Sequence, residues 1–111
     1  MKKPSTRVQS RYTDEALLLL GGMIRAARIE RKWSAQELAN RVGISRPLLA
    51  RIEAGNANCT IGAVFEAAAI LGIRLFNAEP SALSQMRQQV EQKLTLLPKA
   101  VRPSGTVNDD F

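Results

Sequence analysis

The 111-residue sequence has no histidine, a single cysteine and few aromatic side chains, only 5% of the total. Without histidine, neither a histidine-based catalytic triad nor an ordinary zinc site can be assembled. Cys59 has no second cysteine with which to form an internal disulfide, which fits a reducing cytoplasm better than secretion. The apolar run at residues 16–24 is about half the length that crosses a bilayer. It follows Asp14 and Glu15 rather than the basic flank of a signal peptide. There is no glycine-rich phosphate loop, internal repeat or low-complexity tract, and Asp109 and Asp110 stand at the chain end with no group to make them catalytic. These absences predict a cytoplasmic chain that is not an enzyme and has no catalytic residues, metal, cofactor or membrane segment.

What is present is aliphatic and basic. Hydrophobic residues make up 45% of the sequence, mostly alanine and the branched aliphatics, a mixture that favours helices over a sheet sandwich. Sixteen lysines and arginines against ten acids give a net charge of +6, which favours a polyanionic partner: nucleic acid, an acidic protein or a membrane face. The excess is concentrated. Between residues 25 and 51, Arg25, Arg28, Arg31, Lys32, Arg41, Arg46 and Arg51 face only Glu30 and Glu37. On a compact capped motif, rather than one long amphipathic helix, that charge suits nucleic acid better than a membrane.

Residues 34–55, S-A-Q-E-L-A-N-R-V-G-I-S-R-P-L-L-A-R-I-E-A-G, read as two short helices joined by a glycine turn. Ser34 and Glu37 form a capping-box pattern, with Trp33 placed to staple onto Leu38. Leu38, Ala39 and Val42 make the first buried face, and Gly43 suits a left-handed helix end. Ser45 caps the second helix, Pro47 is tolerated in its first turn, and Leu48, Leu49 and Ile52 are its buried positions. The small Ala39 allows a close crossing. The pattern is that of a helix-turn-helix, whose second helix enters a DNA major groove.

The rest of the chain divides as follows. Residues 1–12 are a flexible basic arm; residues 13–78 are the helix-turn-helix domain; residues 79–98 are an amphipathic helix; residues 99–111 are a flexible tail. Thr13, Asp14 and Glu15 suit a helix start, followed by the stripe Leu17, Leu20, Ile24 and Ala27. Gly21 and Gly22 interrupt it, so either the helix begins near Gly22 or something packs closely there. After a loop at 56–59, Thr60 caps a helix with Ile61, Val64, Phe65, Ala68 and Leu71 on its buried face. Residues 73–77, I-R-L-F-N, could form a short strand, pairing with residues 6–12 or with a second chain. Pro80 or Ser81 opens the last helix, whose stripe Leu83, Met86, Val90, Leu94 and Leu97 packs either on its own core or on another chain. The predicted fold is all-α, a compact bundle of about five helices.

In this docking mode Ser45, Arg46, Pro47 and Arg51 are the candidate base-facing residues, since an arginine fork matches the two guanine acceptors in the major groove. Ser34 and Gln36, at the amide-rich end of the first helix, are candidate phosphate contacts, and Arg41 supports the backbone path. One such module makes few contacts, so a homodimer on an inverted repeat is expected, with half-sites about 34 Å apart.

The spacing of Ala39, Gly43, Leu49 and Ile52 and the R-I-E-A-G ending closely resemble the Xre family of phage-repressor-like DNA-binding domains, over residues 20–76. The resemblance implies that Arg28 pairs with Glu53 inside the domain. This chain departs from the family at Ala35, where glutamine is frequent and commonly contacts phosphate. The succession of helix-turn-helix, L-G-I-R-L-F, a proline-started helix, L-L-P-K-A-V-R and an acidic-aromatic terminus resembles HipB-type antitoxins. That resemblance implies an autorepressor that binds a HipA-type Ser/Thr kinase toxin, with residues 73–76 as a strand at the dimer interface and the tail as a toxin contact. The other reading is a stand-alone Xre-type regulator with no toxin partner.

Overall fold

Ser10, Ser34 and Ser45 start three helices in the same way. Each has extended backbone and accepts a hydrogen bond through Oγ from the amide three residues on, which satisfies a donor the helix leaves unpaired. The computed structural model describes residues 9–103. Within them lie α1 (Arg11–Glu30), α2 (Ala35–Val42), α3 (Arg46–Glu53), α4 (Ile61–Ile70), a 3-10 turn (Leu75–Asn77) and α5 (Pro80–Leu96). The all-α bundle of about five helices is what the sequence predicted. The chain divides into two units, one ending at Leu75 and the other starting at Phe76.

In the first unit, Ile24 of α1, Leu38 and Ala39 of α2, Leu49 and Ile52 of α3, and Ala67 and Leu71 in and after α4 form the core. Ile24, Leu38 and Leu49 are its largest fully buried side chains, each contributing about 1.5–3 kcal/mol by leaving water. Ala39 is fully buried where α2 meets α3 and α4, so the small residue does allow the close crossing. Gly43 has φ 81° and ψ 34°, the left-handed conformation that a side chain would make costly, and its amide donates to the Ala39 carbonyl at 2.8 Å.

Several expectations need correction. α1 starts at Arg11, capped by Ser10, not at Thr13, so Arg11 and Tyr12 of the expected arm are helical; residues 1–8 lie outside the described residues. Both Gly21 and Gly22 are inside that helix. The reason is at Gly21, where a Cβ would stand 2.5 Å from the Ile52 carbonyl oxygen and 2.8 Å from that of Glu53. Bare backbone lets α1 lie directly on the end of α3. The stretch 73–77 is no strand: Leu75–Asn77 make a 3-10 turn, with Phe76 and Asn77 at positive φ, which breaks the alternation a strand requires. On α4, Ile61 is 69% exposed, and Ala67 is buried beside Ala68 in its place. Thr60 occupies the N-cap position without a side-chain cap bond.

In the second unit, α5 begins at Pro80, as the sequence indicated, with Glu79 as its N-cap, and ends at Leu96. Along its stripe Leu83 is half-buried, whereas Met86, Val90, Leu94 and Leu97 are 42%, 57%, 60% and 47% exposed. Residues 97 and 98, expected to be helical, lie beyond the helix; residues 99–103 of the expected tail are non-helical, and its last eight residues lie outside the described residues.

Candidate nucleic-acid interface

An ionic clasp behind α3 fixes its orientation. Arg28 of α1 donates to both Glu53 carboxylate oxygens, Nε to Oε2 at 2.7 Å and Nη2 to Oε1 at 3.1 Å, and Nη1 donates to the Trp33 carbonyl at 3.0 Å. Both side chains are nearly buried, and the planar fork engages the carboxylate bidentately. The hydrogen bond that Arg28 donates to Glu53 raises the Arg28 pKa above its usual value, against an opposing effect of burial. The clasp ties the end of α1, the end of α3 and the α1–α2 link at one point. It is the pairing that the family resemblance implied.

Glu53 is the one carboxylate on α3, and the clasp turns it inward. The outward face of α3 is therefore cationic. Arg46, Pro47, Ala50 and Arg51 are all exposed, and neither arginine has a carboxylate partner among the described residues. At 3.6 residues per turn the two arginines stand about 140° apart around the helix, so they mark its two margins, with Pro47 and Ala50 between them. Ala50 was not among the sequence candidates. The signal for it was available: it lies one turn beyond Arg46, on the side that Leu49 and Ile52 leave outward.

Ser45 and Ser34 each accept a backbone amide through Oγ, at 3.2 Å from Leu48 and 3.0 Å from Glu37. Each hydroxyl still has a proton to donate outward. The reciprocal half of the expected capping box is replaced by an ion pair, because the Glu37 carboxylate receives Arg41 Nη2 at 3.1 Å. Arg41 also places its guanidinium carbon 4.1 Å from the Trp33 ring centre, a cation–π contact, and Arg31 approaches the same ring at 5.7 Å. Trp33 itself is half-buried and packs against the core. Gln36 donates to Asn40 Oδ1 at 2.9 Å. Asn40, a second residue that sequence reasoning missed, thus joins the exposed edge of α2. Ala35, where the Xre pattern often has glutamine, packs partly buried against the core and offers no polar group.

The seven candidates therefore fall on two elements: Ser34, Gln36 and Arg41 on α2 and its cap, and Ser45, Arg46, Pro47 and Arg51 on α3 and its cap. Among the described residues no cluster of acids and cysteine could hold a metal ion, and no helix is long and apolar enough to cross a membrane.

Comparison with known proteins agrees with the geometry. No curated protein matches the chain. A solved structure titled "MDT Protein" superimposes with a TM-score of 0.50 at 18% identity, over 68% of this chain and 99% of that one, a likeness of fold. Residues 24–76 match the helix-turn-helix family model. With two capped short helices, a left-handed glycine between them and a clasp behind the second, that segment, just under half of the chain, has the helix-turn-helix fold.

Proposed function

We propose that this chain is a sequence-specific DNA-binding transcriptional repressor that acts in the cytoplasm, on the nucleoid, as a homodimer bound to an inverted-repeat operator. The outward face of α3 carries the reading: two arginines without a carboxylate partner among the described residues, at the margins of an exposed strip, with the helix's only carboxylate drawn inward. In the major groove, Arg46 and Arg51 each read a guanine through a bidentate pair, adding about 1–3 kcal/mol of discrimination. Pro47 and the Ala50 methyl offer apolar contact to a thymine methyl. Ser34 and Gln36 meet phosphates near the amide-rich start of α2, Ser45 faces the bases from the start of α3, and Arg41, oriented by Trp33 and Glu37, adds a charge along the backbone.

The test begins with an operator selected from a random duplex pool, followed by salt titrations on that operator and on a scrambled duplex. Arg51→Ala weakens operator binding by about 1–3 kcal/mol and relaxes sequence preference, whereas Arg41→Ala weakens both duplexes alike and lowers the salt slope by about one. Equal losses on both duplexes for Arg51→Ala rule out base reading by Arg51.

The finer reading is an antitoxin that represses its own operon and binds a HipA-type Ser/Thr kinase. Its support is the sequence resemblance of L-L-P-K-A-V-R and the acidic-aromatic terminus. The extended segment that the same resemblance implied at 73–76 is a turn here and lends it nothing. Co-purification of a kinase with the full chain, lost on removing residues 98–111, supports the antitoxin; a chain that represses with no kinase partner is the stand-alone regulator.

A further inference from the structure

We infer that α5 pairs antiparallel with α5 of a second copy of this chain, around a two-fold axis at Val90. This rests on the dimeric reading above and names the surface that serves it.

The stripe is arranged symmetrically about its own middle. Counted from Val90, Met86 and Leu94 stand four residues away on either side, and Leu83 and Leu97 seven. The stripe's mean spacing of 3.5 residues keeps Leu83, Met86, Val90 and Leu94 along one seam of α5, and Leu97 follows at its C-cap. A two-fold interface requires that when one residue meets another, the reverse contact also forms. Antiparallel pairing about Val90 satisfies this for the whole stripe: Val90 meets Val90, Met86 meets Leu94, and Leu83 meets Leu97.

A groove on the same face selects the direction. It is open, almost wholly apolar, and lined by Phe76 of the 3-10 turn and by Leu83, Met86, Arg87 and Val90 of α5, none of them beyond the middle of the seam. Antiparallel pairing brings the other copy's Leu94 and Leu97, 60% and 47% exposed here, opposite that groove twice over. In a parallel pair, groove would face groove, with no ridge to fill either. Antiparallel helix dipoles also oppose each other favourably.

Charge agrees with that register. Arg87 and Glu91 form an ion pair on one margin of the seam. About Val90, the other copy's Arg87 comes to the same margin within about 3 Å axially of this copy's Glu91, closing a neutral ring of four charges. Lys93 lies on the opposite margin, beside the other copy's uncharged Gln89, so like charges do not meet.

Sedimentation equilibrium of the full chain without DNA, with circular dichroism as a check on folding, tests the pairing. The unaltered chain is a dimer. Val90→Glu, which brings two carboxylates to the axis, abolishes it with helicity retained. Arg87→Glu and Glu91→Arg each raise the dimer dissociation constant about tenfold, and an equimolar mixture of these two variants recovers toward the original value, since their charges are then complementary across the interface. In a Cys59→Ser background, Val90→Cys forms an intermolecular disulfide under mild oxidation. A monomeric chain, a dimer that survives Val90→Glu, or a mixture that fails to recover overturns the inference, and α5 then covers its own chain or another protein. A monomer that still discriminates operator from scrambled duplex overturns this interface and spares the reading of α3. A Val90-dependent dimer with no sequence preference does the reverse.

Discussion

Arg28 is the residue on which the geometry of the first unit turns, because one guanidinium satisfies both oxygens of Glu53 and the carbonyl of Trp33. Removing it leaves a nearly buried carboxylate and a carbonyl without their donors, so Arg28→Ala destabilises the fold by roughly 2–4 kcal/mol. A lowered urea midpoint with an unchanged slope checks this. Replacing Arg28 and Glu53 together with apolar residues costs far less, since no charge is then stranded. The raised Arg28 pKa gives the sign of the pH dependence. Its contribution is complete below the unfolded-state value and is lost only as the pH climbs through the still higher folded-state value, so titration of Arg28 changes nothing at neutral or acidic pH. The pairing was legible only through family resemblance, because 25 residues separate the partners and no local rule relates them. Ser34, Ser45 and Gly43 were legible directly, since a cap and a left-handed turn are decided by the few residues around them. The Glu37 side chain was read wrongly: Arg41, one turn on and itself held by Trp33, competes for the carboxylate.

At the level of elements, α1 shows how two adjacent glycines can have opposite consequences. Inside a helix, glycine to alanine normally stabilises by up to about 1 kcal/mol. At Gly22 a Cβ meets nothing within 4 Å, so Gly22→Ala raises the thermal midpoint. At Gly21 it would press on the carbonyls of Ile52 and Glu53, backbone atoms that cannot move without shifting α3. Gly21→Ala therefore lowers the midpoint and, because α3 carries Arg46 and Arg51, also weakens operator binding; equal midpoints for the two variants would contradict this packing. The sequence left the choice open, since spacing shows that a glycine is present but not what approaches it. The misreading of α4 has a related cause. With alanines at 63, 67, 68 and 69 and apolar neighbours all round, periodicity identifies no single face, and packing against α2 chose Ala67 and Ala68 over Ile61. The strand expected at 73–77 failed because alternation over five residues is weak evidence without a partner strand, and left-handed backbone at Phe76 and Asn77 gives a turn instead.

At the scale of the whole molecule, net charge and pairing determine how the chain meets a duplex. A charge of +6 supplies sequence-independent attraction that salt removes, so an isolated module would bind many sequences weakly at physiological ionic strength. Specificity then depends on two α3 faces engaging together, which a two-fold pair permits only where both half-sites present their major grooves on one side of the duplex. That side repeats with the helical turn, every 10–10.5 base pairs. Inserting about five base pairs between the half-sites of the selected operator rotates one half-site away by half a turn, and the affinity falls to that of a single half-site; inserting about ten restores much of it. Gel-shift titrations on the three duplexes measure this directly. Because Arg46 and Arg51 are unchanged throughout, the loss and recovery would belong to the pairing of the two chains. A constant affinity across all three spacings would mean that each chain binds alone.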